Sequence, residues 1–374
     1  STTTYAYVAV GHQVTTTYPG GITTQVTYNA LGQAVVDKDA NGHYQYKAYD
    51  ADGQVAYAVD ADGYVTGTSY DAYGNVTALT RYAAALNTAA IAGWSAGQPL
   101  SLAQVQQGLT TSGSDRTLTT TYDQRNQKIE VIQPSISYTL SMGPLAGTWT
   151  TGAPTTRYTY DAYGNATSSA TLIQGALTVG STTTPAIWAT TYTYYDNLDR
   201  AVMTVMPTGQ YTAPQGYVTT TSYDAFGQVT GTVQYAQAIS TSAITTAAAP
   251  ALPAAPTAAS GGNRSSTFNY DLIGRKVAET DTGTVTYAGG TLGQLDGAPG
   301  AATASSVTSY TYDGENRLLS VTVNGATTST TYDAAGRVAS VTAPARLALV
   351  ADWQSKLQNA PGDDLTSGEL YTTV

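Results

Sequence analysis

The sequence predicts an all-β protein in which an array of β-hairpins forms one long, curled or spiralling antiparallel sheet, with short helical insertions. The pattern Tyr-Asp-x-x-Gly, followed by Arg, Gln or Asn, occurs ten times in intact or degenerate form. Tyr28, Tyr49 and Tyr70 follow one another at intervals of 21 residues. A fixed period of this size is typical of arrays in which each unit buries its apolar side chains against its neighbours. Tyr outnumbers Phe 30 to 2, which suits a pleated, half-exposed surface.

Each copy of the motif predicts a turn between two strands. The ten copies begin at Tyr28, Tyr49, Tyr70, Tyr122, Tyr160, Tyr195, Tyr223, Tyr270, Tyr312 and Tyr332. The aspartate carboxylate can accept backbone N–H bonds at the start of the turn, and the glycine can adopt a positive φ at low cost. We therefore predict structural turn roles for Asp50, Gly53, Asp71, Gly74, Asp161, Gly164, Asp224, Gly227, Asp271, Gly274, Asp333 and Gly336.

Degenerate copies follow the same turn chemistry. The glycine is replaced by Asn126, Asp199 and Asn316 in three copies, and Asn and Asp are the residues that best tolerate positive φ after glycine. We expect a β-bulge at the glycine position. A second turn of the Asp-x-x-Gly type falls about half a period later, at Asp39 and at Asp60. Each repeat is therefore interpreted as two short strands and two turns.

The domain organisation is predicted to be one continuous repeat body over residues 1–374, forming part of a longer polypeptide. Residues 81–113 are predicted to be a helical insertion, because apolar residues recur at helical spacing between a Ser101 cap and Gly108. A short helix is predicted at 346–358. Residues 239–262 are rich in Ala and Pro and are predicted to be a surface loop.

Composition excludes several classes of function. Only 11% of residues are charged, the net charge is −10 and the pI is about 4.5, which is the opposite of the basic footprint that nucleic-acid binding requires. No apolar run reaches the roughly 18 residues of a membrane span. The absence of cysteine excludes disulfides and thiolate metal sites.

The recurring motif resembles the Rhs/YD-repeat family, which includes bacterial Rhs polymorphic toxins, the C components of Tc toxins and the animal teneurins. The resemblance covers roughly Tyr28 to Val341. It implies a long β-sheet that spirals into a hollow shell around a C-terminal toxin or other polypeptide. The Asp-Pro-x-Gly type of self-cleavage site that often ends such shells is missing, because the sequence has no Asp-Pro dipeptide.

The sequence offers little for catalysis or metal binding. His12 and His43 are the only histidines, glutamates are scarce, and most aspartates belong to turns, so we predict no enzyme activity and no cofactor. The alternative to the absence of a cofactor is calcium binding, since Asp37, Asp39 and Asn41 match the opening of an EF-hand-like loop. Ala48 stands where that loop needs its bidentate Glu.

We therefore predict a structural β-scaffold, part of a YD-repeat shell that encapsulates a C-terminal toxin or cargo. The expected partner is the remainder of its own chain, with no nucleic acid and no membrane span, and the expected location is secreted or on a bacterial surface. The alternative is an extracellular fibre or adhesin that self-associates or binds cell-surface glycans through its tyrosines. An enzyme acting on polysaccharide is the third hypothesis.

Overall fold

The computed structural model describes residues 2–8, 12–209, 214–246, 262–287 and 300–344. Contacts group the chain into two units: unit 1 is Ser1–Thr193 with Gly209–Thr212, and unit 2 is Tyr194–Thr208 with Ala213–Val374. The single continuous body expected from the sequence stays a prediction. The short helix expected at 346–358 lies outside the described residues.

Unit 1 is an antiparallel meander of short strands. Its elements are β1 Thr4–Val8, β2 Gln13–Thr17, β3 Thr23–Tyr28, β4 Ala34–Lys38, β5 Tyr44–Tyr49, β6 Val55–Val59, β7 Tyr64–Tyr70, β8 Val76–Ala85, a 3₁₀ turn Thr88–Ala90, α1 Leu102–Gly108, β9 Arg116–Tyr122, β10 Lys128–Ile132, β11 Ile136–Thr139, β12 Trp149–Gly152, β13 Thr155–Tyr160, β14 Ala166–Gln174, β15 Leu177–Val179, β16 Thr182–Thr184 and β17 Ile187–Tyr195. Strands β1 to β10 pair in chain order, and β13, β14 and β17 continue the sheet. β11 with β12, and β15 with β16, form separate hairpins.

Unit 2 repeats this plan. Its strands are β18 Ala201–Pro207, β19 Gln215–Tyr223, β20 Val229–Gln234, β21 Ile239–Ser240, β22 Arg264–Tyr270, β23 Lys276–Tyr287, β24 Gly300–Tyr312, β25 Leu318–Val323, β26 Ala326–Tyr332 and β27 Val338–Thr342. Antiparallel pairing runs from β18 through β20 to β22 and on to β27, while β21 pairs with the beginning of β19. The predicted all-β class, with an antiparallel array of hairpins, is confirmed.

The hairpins carry the bulge that the sequence predicted at the glycine and a second bulge further along the strand. In the β7–β8 turn the Gly74 N–H donates to the Asp71 carbonyl, the Asp71 N–H donates to the Asn75 carbonyl and Gly74 has a φ of 85°, which is the geometry of a glycine bulge. In the β7–β8 hairpin Tyr70 pairs with Val76, whereas Ser69 pairs with Ala78, so Thr77 is the extra residue. This second bulge lies three residues after Gly74. The prediction of a bulge at the glycine is confirmed, whereas the second bulge, which follows once the strand has restarted, was not predicted. The same shift recurs in eight further hairpins, which are β3–β4, β5–β6, β9–β10, β13–β14, β19–β20, β22–β23, β24–β25 and β26–β27.

The insertion between β8 and β9 covers one face of unit 1. β8 continues to Ala85, so residues 81–85 are strand where the sequence predicted an insertion. Exposed and half-buried residues alternate along residues 81–85, as in a strand. The Leu86 N–H donates to the Gly63 carbonyl at 2.8 Å, and this bond holds the end of β8 beside β7. α1 begins after Ser101, whose hydroxyl accepts the Gln104 N–H in a capping box.

A hydrophobic cluster joins the insertion to the sheet. Insertion residues Leu86, Ile91, Leu100 and Val105 pack with sheet residues Val35, Val36, Tyr46, Ala48, Val59 and Val65. The Tyr46 hydroxyl accepts the Gly97 N–H at 2.9 Å, and its ring meets Trp94 edge-on at 5.5 Å between centroids. A strand face that would otherwise be half-exposed is thereby buried, which gives unit 1 its main core.

The Ala/Pro-rich segment is only partly described. Ile239–Ser240 form β21 where the sequence predicted a loop, because their backbone pairs with Gln215 and Gly216. The Tyr194 hydroxyl donates to the Thr245 carbonyl at 2.8 Å, which ties the following residues to the strand region of unit 2. Residues 247–261 lie outside the described part of the chain.

Candidate functional site: the ladder of Tyr-Asp turns

Each Tyr-Asp turn is closed by its second residue. In the turn of β7–β8, the Oδ1 atom of Asp71 accepts the N–H groups of Tyr73 and Asn75, both at 2.9 Å. The Asp71 N–H donates to the Asn75 carbonyl, and the Gly74 N–H donates to the Asp71 carbonyl. The carboxylate and the backbone carbonyls thus satisfy all of these N–H groups within one short loop.

The same pair of bonds to one side-chain oxygen recurs in all ten turns. In unit 1 the acceptors are Asn29, Asp50, Asp71, Asp123 and Asp161. In unit 2 they are Asp196, Asp224, Asp271, Asp313 and Asp333. Asn29 makes these bonds with a neutral amide oxygen, so the turn needs an acceptor and not a charge.

The fifth residue of each motif has a positive φ. Values for the predicted turn glycines are 82° for Gly53, 85° for Gly74, 99° for Gly164, 85° for Gly227, 87° for Gly274 and 77° for Gly336. The degenerate copies adopt the same conformation, with φ of 62° at Asn126, 58° at Asp199 and 65° at Asn316. The residues that replace glycine at the fifth position are therefore those that best tolerate a positive φ, as the sequence suggested.

The sixth residue braces its own turn through the second carboxylate oxygen. The Asn75 side chain donates to Asp71 Oδ2 at 2.9 Å in unit 1. In unit 2, Arg275 Nε donates to Asp271 Oδ2 at 2.7 Å, and the side chains of this ion pair are only 28% and 23% exposed. Arg200, Arg317 and Arg337 make the equivalent ion pair with Asp196, Asp313 and Asp333.

In eight of the ten motifs the tyrosine hydroxyl bonds to the preceding turn, a contact that the sequence did not predict. The Tyr70 hydroxyl donates to the carbonyl of Val55, the residue that follows the previous motif, at 3.1 Å. We call this bond the tyrosine latch. The other latches in unit 1 are Tyr49 to Ala34, Tyr122 to Val76 and Tyr160 to Lys128. Those in unit 2 are Tyr223 to Ala201, Tyr270 to Val229, Tyr312 to Lys276 and Tyr332 to Leu318.

The sixth residue reaches forward to the next turn. In unit 1, Gln33 Nε2 donates to the Gly53 carbonyl at 3.0 Å, and Asn75 Nδ2 donates to Asn126 Oδ1 at 2.8 Å. In unit 2, Gln228 Nε2 donates to the Gly274 carbonyl at 3.2 Å. Consecutive turns are therefore joined in both directions, backward by the tyrosine and forward by the sixth residue.

Arginine at the sixth position adds a stacking contact. The Arg275 guanidinium lies 4.8 Å from the ring centroid of Tyr312 in the next turn and donates to the Asp313 carbonyl at 3.2 Å. It is thus fixed by its own Asp271 on one side and by the following tyrosine on the other. Arg200 lies over Tyr223 and Arg317 over Tyr332 in the same way.

Insertions leave the ladder intact. The turns that begin at Tyr70 and Tyr122 are separated by the whole α1 insertion, yet Tyr122 still latches to Val76 and Asn75 still reaches Asn126. The residues of the insertion lie outside the sheet, and β8 pairs directly with β9 across them. The turn ladder is therefore a property of neighbouring turns in space, independent of the length of chain between them.

The carboxylates of the ladder predict an acid-sensitive fold. The backbone N–H of the sixth residue, together with its side chain, holds the pKa of Asp271, Asp313 and Asp333 below the usual range, and the Asn75 amide does so for Asp71. Because the folded-state pKa is the lower one, these groups stabilise the fold above pH about 4 and lose that effect as pH falls through the folded value. We expect the free energy of unfolding, measured by urea titration, to fall steadily below pH about 4. The Asp71→Asn variant, which introduces the residue type that Asn29 already supplies in its own turn, should lose less between pH about 5 and about 2; identical acid profiles would contradict this.

Two turn glycines should differ in their tolerance of alanine. A Cβ at Gly227 would meet nothing within 4 Å, whereas a Cβ at Gly274 would lie 2.7 Å from Gln228 Nε2, which donates to the Gly274 carbonyl. Gly227→Ala should cost about 1 kcal/mol for the positive φ alone. Gly274→Ala should cost roughly 1 kcal/mol more, because the forward bond is also displaced. Urea denaturation of both variants checks this, and equal losses would show that the forward bond contributes nothing.

The calcium candidates are engaged in other contacts. Asp37 pairs with Lys47 at 3.1 Å, and Asp39 Oδ1 accepts the N–H groups of Asn41 and His43 in a turn of the same type. Within the described ranges no cluster of three or more His, Asp or Glu side chains is placed to hold a metal ion. The absence of a cofactor, and calcium binding as its alternative, stay predictions, which calorimetric titration with calcium tests.

No helix in the described part of the chain has the length and apolar character to cross a membrane.

The chain is similar to several known proteins, over part or most of its length. Residues 312–348, about a tenth of the chain, match the model of the RHS Repeat family. No curated protein matches the chain. The crystal structures of TcdB2-TccC3-Cdc42 and TcdB2-TccC3-TEV align at 13% and 14% identity with TM-scores of 0.34 and 0.32, covering 89% and 85% of this chain and 17% and 16% of theirs. The Photorhabdus luminescens Tc holotoxin pore with a mutated TccC3 aligns at 10% identity and a TM-score of 0.26, covering 91% of this chain and 20% of that one.

The chain thus spans about a fifth or less of the length of these solved structures. The matched family segment contains the turns that begin at Tyr312 and Tyr332, and the eight other turns repeat their geometry. The tyrosine, the aspartate and the fourth, fifth and sixth residues of the motif make contacts in this ladder, so the chain is a repeat scaffold. Over residues 312–348 these turns are similar to the RHS Repeat.

Proposed function

We propose that this chain is a wall segment of a YD-repeat shell that encloses a C-terminal toxin or other cargo, and that it carries out no chemistry itself. The observation that supports the proposal most strongly is the two-way connection between consecutive turns. The tyrosine latch and the forward bond of the sixth residue add side-chain links to the backbone ladder of the sheet. A wall that retains cargo needs such repeated links, because a sheet is otherwise held together mainly by its strand pairing.

The burial of the strands also favours a wall. All five residues of β2 and most of β17 are half-buried, with neither face packed into a deep core. Deep burial in unit 1 is concentrated where the insertion covers the sheet. A sheet whose two faces are both polar and half-exposed can separate an interior from an exterior, whereas an ordinary sandwich would bury one face completely.

The partners follow from this role. The printed names of the matched structures describe assemblies of TcdB2 with TccC3 and a Tc holotoxin pore. We propose that this chain assembles in a comparable way with the remainder of its own polypeptide, in a protein secreted by or displayed on a bacterium. The turn residues would then act as architectural groups, without contact to a substrate.

A fibre or adhesin is the second candidate. Aromatic rings stand exposed on β1, at Tyr5 (60%) and Tyr7 (75%), and at the turn tips of Tyr73 (76%) and Tyr163 (85%). Exposed tyrosines can stack on sugar rings, and this observation favours binding of cell-surface glycans. A glycan array probed with the chain tests this candidate separately from encapsulation.

Protease protection of the intact polypeptide that contains this chain tests the proposal. If the chain is part of a closed wall, the C-terminal region should resist a protease at neutral pH and become accessible when the wall is opened below pH about 4. Cryo-electron microscopy of the same preparation should show a hollow shell with internal density. A C-terminal region that is cleaved freely at neutral pH, or a continuous filament, would refute encapsulation.

A further inference from the structure

Two tyrosine rings meet over a glycine in the middle of β7. Tyr57 on β6 stands directly opposite Gly67, and Gly67 stands opposite Thr80 on β8. Tyr82 lies two residues further along β8. The ring centroids of Tyr57 and Tyr82 are 6.5 Å apart, although β6 and β8 are separated by β7. The two rings therefore approach each other across the middle strand.

Gly67 permits this approach. A Cβ atom at this position would lie 3.0 Å from Tyr57 Cε1 and 3.1 Å from Tyr82 Cε2, which is closer than carbon atoms ordinarily pack. Gly67 is buried in a strand and lacks the positive φ that explains the turn glycines. Glycine weakens a strand interior and often marks a close approach of other groups. Here the groups that approach are two phenol rings.

The carbons that converge are the reactive carbons of a phenol. Cε1 of Tyr57 and Cε2 of Tyr82 are each ortho to a hydroxyl, and both lie next to the same point above Gly67. Burial, and then the charge of the Tyr57 phenol and a side-chain hydrogen bond with it, raise the pKa of Tyr82. Tyr82 is therefore a neutral phenol at neutral pH, and its hydroxyl faces that of Tyr57. Both rings are half-buried, which favours reaction with each other over reaction with a second molecule.

We propose that Tyr57 and Tyr82 are a site of oxidative coupling, where hydrogen peroxide acting through a one-electron oxidant joins them as dityrosine. Each phenol gives up one electron and its hydroxyl proton, and the two ortho carbons of the resulting radicals form a carbon–carbon bond. The hydrogen on each of these carbons then passes through water to restore the hydroxyls. The pair loses two hydrogen atoms in total. One molecule of hydrogen peroxide takes them up as it is reduced to two molecules of water.

This bond would link β6 to β8 across β7. The chain has no cysteine, so a disulfide is not available for this purpose. Both rings pack against the hydrophobic cluster that contains Val59 of β6 and Val65 of β7. A covalent link there ties three consecutive strands together beside the main core of unit 1, and links of this kind stabilise a fold by restricting the unfolded chain. The effect is independent of whether the chain encloses cargo.

Peptide mapping after oxidation tests the site. The chain is treated with hydrogen peroxide and a haem peroxidase, and the monomer fraction is digested with trypsin. Trypsin separates residues 48–81 from residues 82–116, and Tyr82 is the only tyrosine of the second peptide. Mass spectrometry should find these two peptides joined and lighter by two hydrogen atoms, with fragmentation placing the bond at Tyr57. Monomer in which the peptides stay separate, or a bond at another tyrosine of residues 48–81, would overturn the proposal.

Three variants show whether the approach at Gly67 controls the reaction. Tyr82→Phe keeps the ring without its hydroxyl and should abolish the joined peptides. Gly67→Ala should lower their yield severalfold, because its methyl group lies between the reacting carbons. Gly113→Ala is the matched control, since a Cβ there meets nothing within 4 Å, and should give the wild-type yield. Circular dichroism establishes that each variant is folded. Joined peptides that persist in Tyr82→Phe, or equal yields from the two glycine variants, would contradict coupling at this pair.

Discussion

Leu100→Ala is expected to lower the free energy of unfolding of unit 1 by about 2–4 kcal/mol. Leu100 is only 3% exposed and belongs to the cluster that joins the insertion to the sheet. Truncation leaves a cavity within this cluster, which also contains Val105 and the strand residues. Urea denaturation followed by tryptophan fluorescence measures the loss, since Trp94 packs against this cluster.

Gln106→Ala is the matched control in the same insertion. Gln106 lies on the exposed side of α1, and alanine is a good helix former, so its free energy of unfolding should change by less than about 0.5 kcal/mol. A Leu100→Ala variant as stable as this control would mean that the insertion lies loosely on the sheet. The insertion and the sheet would then not share the main hydrophobic core of unit 1.

Arg275→Ala is expected to destabilise unit 2 by about 1.5–3 kcal/mol. The substitution removes the ion pair with Asp271, the stacking on Tyr312 and the bond to the Asp313 carbonyl. A partly exposed ion pair contributes up to about 1 kcal/mol, and the stacking and the hydrogen bond contribute about as much each. Thermal and urea unfolding of the variant measure the sum.

Arg275→Gln separates these contributions. Glutamine stands at the sixth position in other turns, where Gln33 and Gln228 still reach the carbonyl of the following turn. This variant should retain the forward bond and lose only the charge and the stacking, so its loss should be about two-thirds that of alanine. Equal losses for both variants would show that the forward bond adds no stability.

The sequence predicted what local chemistry decides. The acceptor role of Asp71 and the positive φ of Gly74 follow from the turn residues alone, because the groups they satisfy lie within four residues. The same is true of the Ser101 cap on α1. Each of these contacts forms inside one short segment, so the order of residue types was enough to predict it.

Contacts between segments could not be predicted in this way. The target of the Tyr122 hydroxyl is Val76, which is 46 residues away in the chain, and only the register of two neighbouring turns brings them together. The bulge at Thr77 and the extension of β8 to Ala85 also depend on the partner strand. The regular tyrosine spacing carried no information about which carbonyl each hydroxyl meets.

A double-mutant cycle on Arg275 and Tyr312 tests most directly whether consecutive turns are coupled. The free energy of unfolding is measured for Arg275→Ala, Tyr312→Leu, the double variant and the wild type. Stacking at 4.8 Å predicts a coupling energy of about 0.5–1 kcal/mol. The control pair Arg200 and Tyr332, in turns that are not neighbours, should be additive within about 0.3–0.5 kcal/mol. Additivity at Arg275 and Tyr312 as complete as in this control would contradict the ladder as the source of the scaffold's cohesion.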